Sequence, residues 1–165
     1  MTDERYELAY DVAAASVSGQ RDRLENLRAR AGLLLAAAAV VTSFLGGQAL
    51  DDTKAGPAGQ VIKDRSIETP EAVAIAAFIG LALCAVAVLL PWRGWLFGMN
   101  ARQIIRDYIE ADKPATIEET QRDLALHLER HYNKNKRKLT NLYWAFRVAA
   151  ALLAVEAVGW MIDLT

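Results

Sequence analysis

Long runs of uncharged apolar residues dominate the hydrophobic pattern of this chain. Two of them cover residues 31–50 and 72–90 and contain no charged side chain. A bilayer core about 30 Å thick is crossed by roughly 20 mostly apolar helical residues, so each run predicts a transmembrane helix. We place these two helices at residues 31–50 and 72–91.

A third apolar run has the length of a crossing but carries Glu156 in its interior. Tyr143 and Trp144 lie at one end of this run and Trp160 lies near the other. Aromatic side chains in such positions are typical of membrane–water interfaces. We therefore predict a third transmembrane helix over residues 142–164.

The residues before the first run also follow a helical pattern. Their seam positions are separated alternately by four and three residues, which is the spacing of helices that pack side by side. These positions are Tyr6, Tyr10, Ala13, Val17, Gln20, Leu24, Leu27, Ala31 and Leu34. Because nothing interrupts the pattern before Ala31, residues 1–30 are expected to form one helix with the first crossing.

Residues 92–141 are polar and carry their own helix signals. Asn100 is expected to cap a short amphipathic helix, and the sequence DKPAT at 112–116 ends it. Thr116 and Glu119 form the capping box of a second long helix that continues into the third crossing. The seam of that helix consists of Ile117, Gln121, Leu124, Leu128, His131, Asn135, Leu139, Leu142 and Phe146.

These patterns predict an all-α integral membrane protein with three transmembrane helices. The first and third continue as long cytoplasmic helices that form a helical bundle. The two seams are consistent with packing within one chain. They are equally consistent with coiled-coil contacts in a homo-oligomer. Their spacing alone does not decide between these two arrangements.

Small residues recur every four positions within the first two membrane segments. Such rows let helix backbones approach closely, which promotes the association of membrane helices. The rows are Gly32 with Ala36, Ser43 with Gly47, and Ala72, Ala76, Gly80 and Cys84. Three crossings offer little interior in which to cover them all, so self-association is favoured. The expected oligomer contacts are Gly32, Ala36, Ala76, Gly80, Leu24 and Leu27.

Basic residues are concentrated on one side of the predicted crossings. They precede the first crossing, follow the second and precede the third, whereas the connection 51–71 has more acids than bases. By the positive-inside rule, the chain is a multi-pass inner-membrane protein with a cytoplasmic N-terminus, an external loop at 51–71 and an external C-terminus. Contacts with lipid headgroups are expected at Arg147, Lys136, Arg137 and Lys138.

Glu156 is the candidate functional residue, because an ionisable group inside a membrane segment is costly and marks a functional site by default. Thr42 and Ser43 lie at a similar depth in the first crossing, so a hydroxyl group is available to hydrogen-bond Glu156. Three interpretations remain open. The side chain is a protonated structural residue, or it lines a water-filled path as part of a carboxylate ring, or it reaches the outer interface.

Composition excludes several classes of function. The formal charge of −1 gives no overall attraction to nucleic acid. Cys84 is the only cysteine, which excludes an intrachain disulfide and a cysteine zinc site. His127 and His131 stand one helical turn apart, but no further ligand accompanies them, so we expect no metal and no cofactor. A glycine-rich phosphate loop and a nucleophile paired with a base are both missing, and we do not expect an enzyme.

The stretch QRDRLENLRARAGLLLAAAAVVTSFLGG, residues 20–47, joins a basic helix to a small-residue crossing, and a second crossing and a soluble helical part follow. This arrangement resembles the small bacterial membrane effectors of nucleotide-signalled antiphage defence, the SLATT and Pycsar-type transmembrane proteins. This chain adds a third predicted crossing. The resemblance implies a membrane module that oligomerises on a signal and permeabilises the inner membrane.

We therefore expect an oligomeric inner-membrane protein that forms a pore or perturbs the membrane and is gated through its cytoplasmic helices. Its expected partners are membrane lipid, further copies of the chain, and a cytoplasmic signalling protein or nucleotide ligand. The first alternative is a non-conducting scaffold or accessory subunit that recruits a cytoplasmic partner. A small-ion channel or transporter unrelated to defence is the second alternative.

Overall fold

A computed structural model describes residues 4–47, 69–91 and 94–163 of the chain. Within these ranges every regular element is helical. The elements are α1 (Glu4–Val41) with a first π-helical turn (Thr42–Gly46), α2 (Thr69–Leu89), α3 (Ala101–Ile104) with a second π-helical turn (Ile105–Ile109), and α4 (Ile117–Asp163). The all-α prediction is confirmed for this part of the chain. Most of the loop predicted at 51–71 lies outside the described residues.

Helix α1 is continuous over 38 residues, as the uninterrupted seam predicts. At 1.5 Å per residue it is about 57 Å long. It passes from a charged sequence into an apolar one without a break. Beyond Val41 the chain adopts π-helical geometry up to Gly46, which the sequence pattern did not predict.

Helix α4 is longer still, with 47 residues, and it begins at the predicted capping box. The hydroxyl oxygen of Thr116 accepts a hydrogen bond from the Glu119 N–H at 3.2 Å, and the Glu119 carboxylate accepts one from the Thr116 N–H at 3.0 Å. Two backbone donors at the helix start are thereby satisfied. The cap predicted at Asn100 is also present, since its side chain accepts a hydrogen bond from the Arg102 N–H at 3.1 Å.

The chain divides into two compact units, and α1 and α4 contribute to both. The first unit comprises Met1–Asn26 and Pro91–Asn141, and the second comprises Leu27–Leu90 and Leu142–Thr165. These divisions lie within a few residues of the predicted borders between charged and apolar segments.

The first unit contains the charged halves of the two predicted seams. The central seam residues are buried, and they are Val17, Gln20, Leu24, Leu128, His131, Asn135 and Leu139. The Gln20 side-chain amide donates a hydrogen bond to the Tyr132 carbonyl at 3.0 Å, which links α1 to α4. Both seams therefore serve packing within the chain. The outermost members of the seams, Tyr6 and Ile117, remain exposed.

The second unit brings the three apolar helices together. One cluster contains Ala38 of α1, Leu81 of α2 and Ala149 of α4, each at most 1 % exposed. A Cβ atom on Gly159 would lie 3.0 Å from the Ala74 Cβ, so α2 and α4 approach each other closely at this glycine. The Arg28 guanidinium donates a hydrogen bond to the Leu90 carbonyl at 3.4 Å, next to the carboxyl end of α2. A cation in this position is favourable because the helix dipole is negative there.

Candidate functional site around Glu156

Glu156 lies on the buried face of α4 in the second unit and has no exposed surface. The alternation of the α4 seam continues past Leu142 and Ala149 and places Glu156 on the same face as these residues. The carboxyl group therefore points into the helix packing of its own chain. Sequence reasoning found this residue from its charge within an apolar run, but it could not tell which way the side chain points.

The hydroxyl group of Thr42 donates a hydrogen bond to Oε1 of Glu156. Thr42 is the first residue of the first π-helical turn. The predicted hydroxyl hydrogen bond is thus confirmed for Thr42. Ser43 is exposed and points elsewhere, so of the two candidates only Thr42 reaches the carboxyl group. π-helical turns in proteins often occur at functional sites.

The second carboxyl oxygen, Oε2, is buried and has no hydrogen-bond partner among the described residues. The same holds for Nε1 of Trp160, one helical turn further along α4. An isolated buried charge is very costly, whereas a neutral acid with one good hydrogen bond costs much less. Of the three interpretations of Glu156, this geometry best fits a protonated structural residue.

Trp160 is only 4 % exposed and packs against the first π-helical turn. A Cβ atom on Gly46 would lie 3.2 Å from the Trp160 ring carbons Cη2 and Cζ2, so the glycine makes room for the indole. Trp160 was predicted to mark a membrane interface. The structure encloses its ring within the chain, whereas Tyr143 and Trp144 at the other end of the segment are exposed.

The predicted packing residues separate into two groups. Leu24 and Leu27 are each 2 % exposed, and a Cβ atom on Gly80 would lie 3.1 Å from Leu152 Cδ1. These three positions are used by the chain's own packing. Ala36 and Ala76 are exposed, and Gly32 is half-buried with nothing within 4 Å of an added Cβ atom. These latter positions are the ones that remain open to another helix.

The predicted headgroup residues do not form one group either. Lys136 and Arg137 are exposed, and the Arg147 guanidinium lies 5.4 Å from the ring centre of Trp144. Lys138 is half-buried, and its ammonium group donates a hydrogen bond to the Gly94 carbonyl at 2.6 Å. Lys138 therefore holds the chain that follows α2, where Gly94 adopts a φ of 85° that favours glycine.

Asn135 is a structural residue whose role the sequence did not reveal. It is fully buried, donates a hydrogen bond to the Leu96 carbonyl at 3.0 Å and accepts one from the Leu96 N–H at 3.3 Å. The amide thus pairs with an otherwise irregular backbone segment. Its only signal in the sequence is a polar residue in the middle of the α4 seam.

His127 and His131 are in contact, with ring centres 4.2 Å apart. Burial lowers the pKa of His131, and the positive charges of His127, Lys134 and Arg130 lower it further. Among the described residues no three histidine, cysteine or acidic side chains are grouped to hold a metal ion. His131 belongs to the buried seam of α4, and His127 lies at its flank.

The described residues of the first unit line an open groove and a smaller polar pocket. An open groove of about 710 Å³ lies between α1 and α4, with Leu8, Val12 and Leu126 among its lining residues. A smaller polar pocket of about 200 Å³ is lined in part by Asn100 and Arg130.

Comparison with family models, with curated proteins and with solved structures gives no match.

Proposed function

We propose that this protein is an oligomeric membrane protein that forms a pore or otherwise perturbs the inner membrane, controlled through its cytoplasmic helices. The observation that carries the proposal is that the apolar helices of the second unit leave most of their surface uncovered, including small-residue positions on α1 and α2. An apolar surface of this kind needs either lipid or another helix to cover it.

The degree of burial favours a membrane over a water-soluble helical core. Three helices are long and apolar enough to cross a bilayer, and in their most apolar windows only 17 %, 28 % and 22 % of the residues are buried by the chain. Leu33 is 72 % exposed and Leu83 is 67 % exposed. Burial of apolar surface contributes about 25 cal/mol per Å², so exposing these windows to water is strongly unfavourable. Lipid removes that cost.

The distribution of basic residues supports a cytoplasmic first unit. Arg21 and Arg23 precede the apolar part of α1, and Lys136 and Arg137 precede that of α4. Cytoplasmic segments of membrane proteins carry such an excess of Lys and Arg. The N-terminus and residues 94–141 then face the cytoplasm, and the C-terminus faces outward.

The small residues that remain uncovered support an oligomer. Ala36 and Ala76 are exposed, although both belong to small-residue rows. Close contact of two helix backbones at such rows gains van der Waals energy and releases lipid. We propose that the path across the membrane lies between chains, because Glu156 is enclosed by the packing of its own chain.

The polar pocket in the first unit supports a signal-binding role. Asp107, Asp123, His127 and Arg130 contribute to its lining, so a small polar ligand finds both donors and acceptors there. We propose that the signal, a nucleotide or a polar segment of a signalling protein, acts through this unit.

Leakage from vesicles tests the proposal. The full chain is reconstituted into vesicles of mixed neutral and anionic phospholipid that contain a self-quenching dye. We expect dye release that rises steeply with the protein-to-lipid ratio, because the active form contains several copies. Ala76→Leu is expected to reduce release by about fivefold, since the larger side chain separates the helices.

The matched control is Ile79→Leu, which changes an exposed side chain of α2 without changing its volume and should leave release unaltered. An oligomer that forms normally but releases no dye, alone or with cytoplasmic extract, would contradict the pore proposal.

The groove in the first unit favours a second candidate function, a scaffold. Its apolar lining is open, and Leu8 and Val12 are 64 % and 58 % exposed in the part of the chain expected in water. A partner helix could bind there while the membrane segment serves only as an anchor. The leakage assay separates this candidate from the pore, because a scaffold assembles without releasing dye.

A further inference from the structure

Helix α1 has a second face, opposite its buried seam, that its own chain leaves uncovered. We call this face the outer seam. It consists of Leu8, Val12, Ala15, Gly19, Asp22, Asn26, Ala29, Leu33, Ala36 and Val40. Gly19 is half-buried and every other member is exposed.

The spacing of the outer seam is that of a helix with two packing faces. Its members alternate between four and three residues apart, just as the buried seam does, so they form one stripe along α1. Most of them are apolar or small, and the polar members Asp22 and Asn26 are adjacent in the stripe. A helix with one buried face normally carries charged residues on the opposite side. The outer seam therefore lacks the polar character of a solvated face.

Part of the outer seam lies in the segment expected in water. Leu8 is 64 % exposed and Val12 is 58 % exposed. Together with Leu126 of α4 they line the apolar groove of the first unit. Lipid cannot cover these side chains if they lie in the cytoplasm, so another protein surface is needed to remove them from water.

Gly19 gives a second indication of a close neighbour. Glycine within a helix costs about 1 kcal/mol relative to alanine. A Cβ atom at this position would meet nothing within 4 Å, so the chain's own packing does not require the glycine. A helix that approaches α1 closely at Gly19 would require it.

Charge and polarity identify the approaching helix as α1 of a second copy. The membrane orients all copies alike, so two such helices run parallel. In a parallel pair centred on the outer seam, Glu25 and Arg30 flank the interface. Glu25 of one copy then lies opposite Arg30 of the other copy. Their charges are opposite, and the contact occurs twice in a symmetric pair. Asn26 occupies a core position at which asparagine specifies the register of two-stranded pairs.

We propose that the outer seam is the site at which two copies of the chain associate, through parallel contact of their α1 helices. This inference rests on the proposed oligomeric membrane protein and specifies its interface. Asp22 faces its own counterpart in this arrangement, and the repulsion of the two carboxylates weakens the pair. The pair is therefore reversible, as a signal-dependent assembly requires.

Cysteine cross-linking in membranes tests the interface. In a full-length Cys84→Ala background, Ala15→Cys places a thiol on the outer seam, and Arg21→Cys places one on an exposed side of α1 away from it. Under mild oxidation, Ala15→Cys is expected to form a disulfide-linked dimer about tenfold faster than Arg21→Cys, because seam positions of a parallel pair face each other. Equal rates, or a faster reaction at position 21, would overturn the proposal.

Charge reversal provides an independent measurement on the same background. Glu25→Arg is expected to weaken dimerisation about fivefold, since like charges replace the two opposite-charge contacts. Glu25→Arg with Arg30→Glu restores opposite charges and should recover the dimer. Glu25 also pairs with Arg21 within its own helix at 3.0 Å. The double variant does not restore that intrahelical pair, so recovery assigns the effect to the interface and its absence counts against the proposal.

Failure of the interface and failure of the proposed function give different results. Dye release without cross-linking at position 15 would support the pore and would reject the outer seam as the contact between its copies. Cross-linking without dye release would establish the outer seam as a contact between copies and would favour the scaffold over the pore.

Discussion

At the scale of single residues, the chemistry of Glu156 depends on how completely its own chain surrounds it. One carboxyl oxygen accepts the Thr42 hydroxyl and the other is buried without a hydrogen-bond partner among the described residues. Glutamine has nearly the same shape and can accept the same hydrogen bond. The two side chains differ mainly in whether they can carry a charge.

This comparison gives a prediction for Glu156. Glu156→Gln should change the free energy of unfolding by less than about 1 kcal/mol, because the Thr42 contact is retained. Glu156→Ala should cost about 2 kcal/mol or more, because it leaves a cavity in a fully buried site. Thermal unfolding in detergent measures both changes. If Glu156→Gln instead abolishes dye release without loss of stability, the side chain acts as a charge on a conducting path.

Other residues of the candidate site show how far sequence reasoning reached. Glu156 and Thr42 were both identified, because their polarity within apolar runs is visible without a structure. Lys138 was assigned to lipid headgroups, yet its ammonium group donates a hydrogen bond to the Gly94 carbonyl. A charge near a membrane border looks the same in the sequence whether it binds lipid or backbone.

At the scale of elements, the two long helices combine apolar and polar contacts along one seam. His131 is 8 % exposed, and its neighbours on α4 include the cations Lys134 and Arg130 as well as His127. No charged residue of α1 lies among the buried seam positions that pack with α4. Protonation of His131 therefore adds a positive charge to an already positive and partly dry environment.

The stability of the first unit should consequently depend on pH. The pKa of His131 is lower in the folded chain than in the unfolded chain, so below about pH 6.5 the unfolded chain binds more protons. Stability is then full at neutral pH and decreases as the pH falls through this range. Hydrogen exchange of backbone amides at residues 124–139, measured at pH 7.5 and 5.5, should show faster exchange at the lower pH once intrinsic rates are corrected.

His131→Gln should remove most of this pH dependence, whereas His127→Gln, at a less buried position, should retain it. An unchanged pH dependence in His131→Gln would show that other groups are responsible.

The helix ends were predictable because capping uses residues that are near each other in sequence. The Thr116 and Glu119 capping box and the Asn100 cap are present as predicted. The first π-helical turn was not predicted. Trp160 packs against it from a helix more than a hundred residues away, and no local pattern contains that contact.

At the scale of the whole molecule, the proposed topology places the charged ends of α1 and α4 in the cytoplasm. Both helices are continuous between their charged and apolar parts. Whatever binds the charged part of either helix therefore binds an element that also carries an apolar part. This continuity gives the proposed control by cytoplasmic helices a physical basis.

Labelling from outside the cell tests the topology. In a Cys84→Ala background, single cysteines are placed at Lys136 and at Ser66, and intact cells are treated with a membrane-impermeant thiol reagent. Position 66 should react and position 136 should react only after the cells are opened, because the basic segment faces inward. Reaction of position 136 in intact cells would reverse the proposed orientation.

The sequence by itself determined the class of structure, the lengths of the apolar runs, the two buried seams and the helix caps. These features arise from hydrophobicity and from contacts three or four residues apart, so they are present in the linear pattern. Only the tertiary structure decided which faces meet. It covered Leu24 and Leu27, left Ala36 and Ala76 open, joined Thr42 to Glu156 and enclosed Trp160. Each of these outcomes depends on packing between helices that are distant in the sequence. The sequence pattern does not decide that packing, because many helix faces are apolar enough to pack against the same partner.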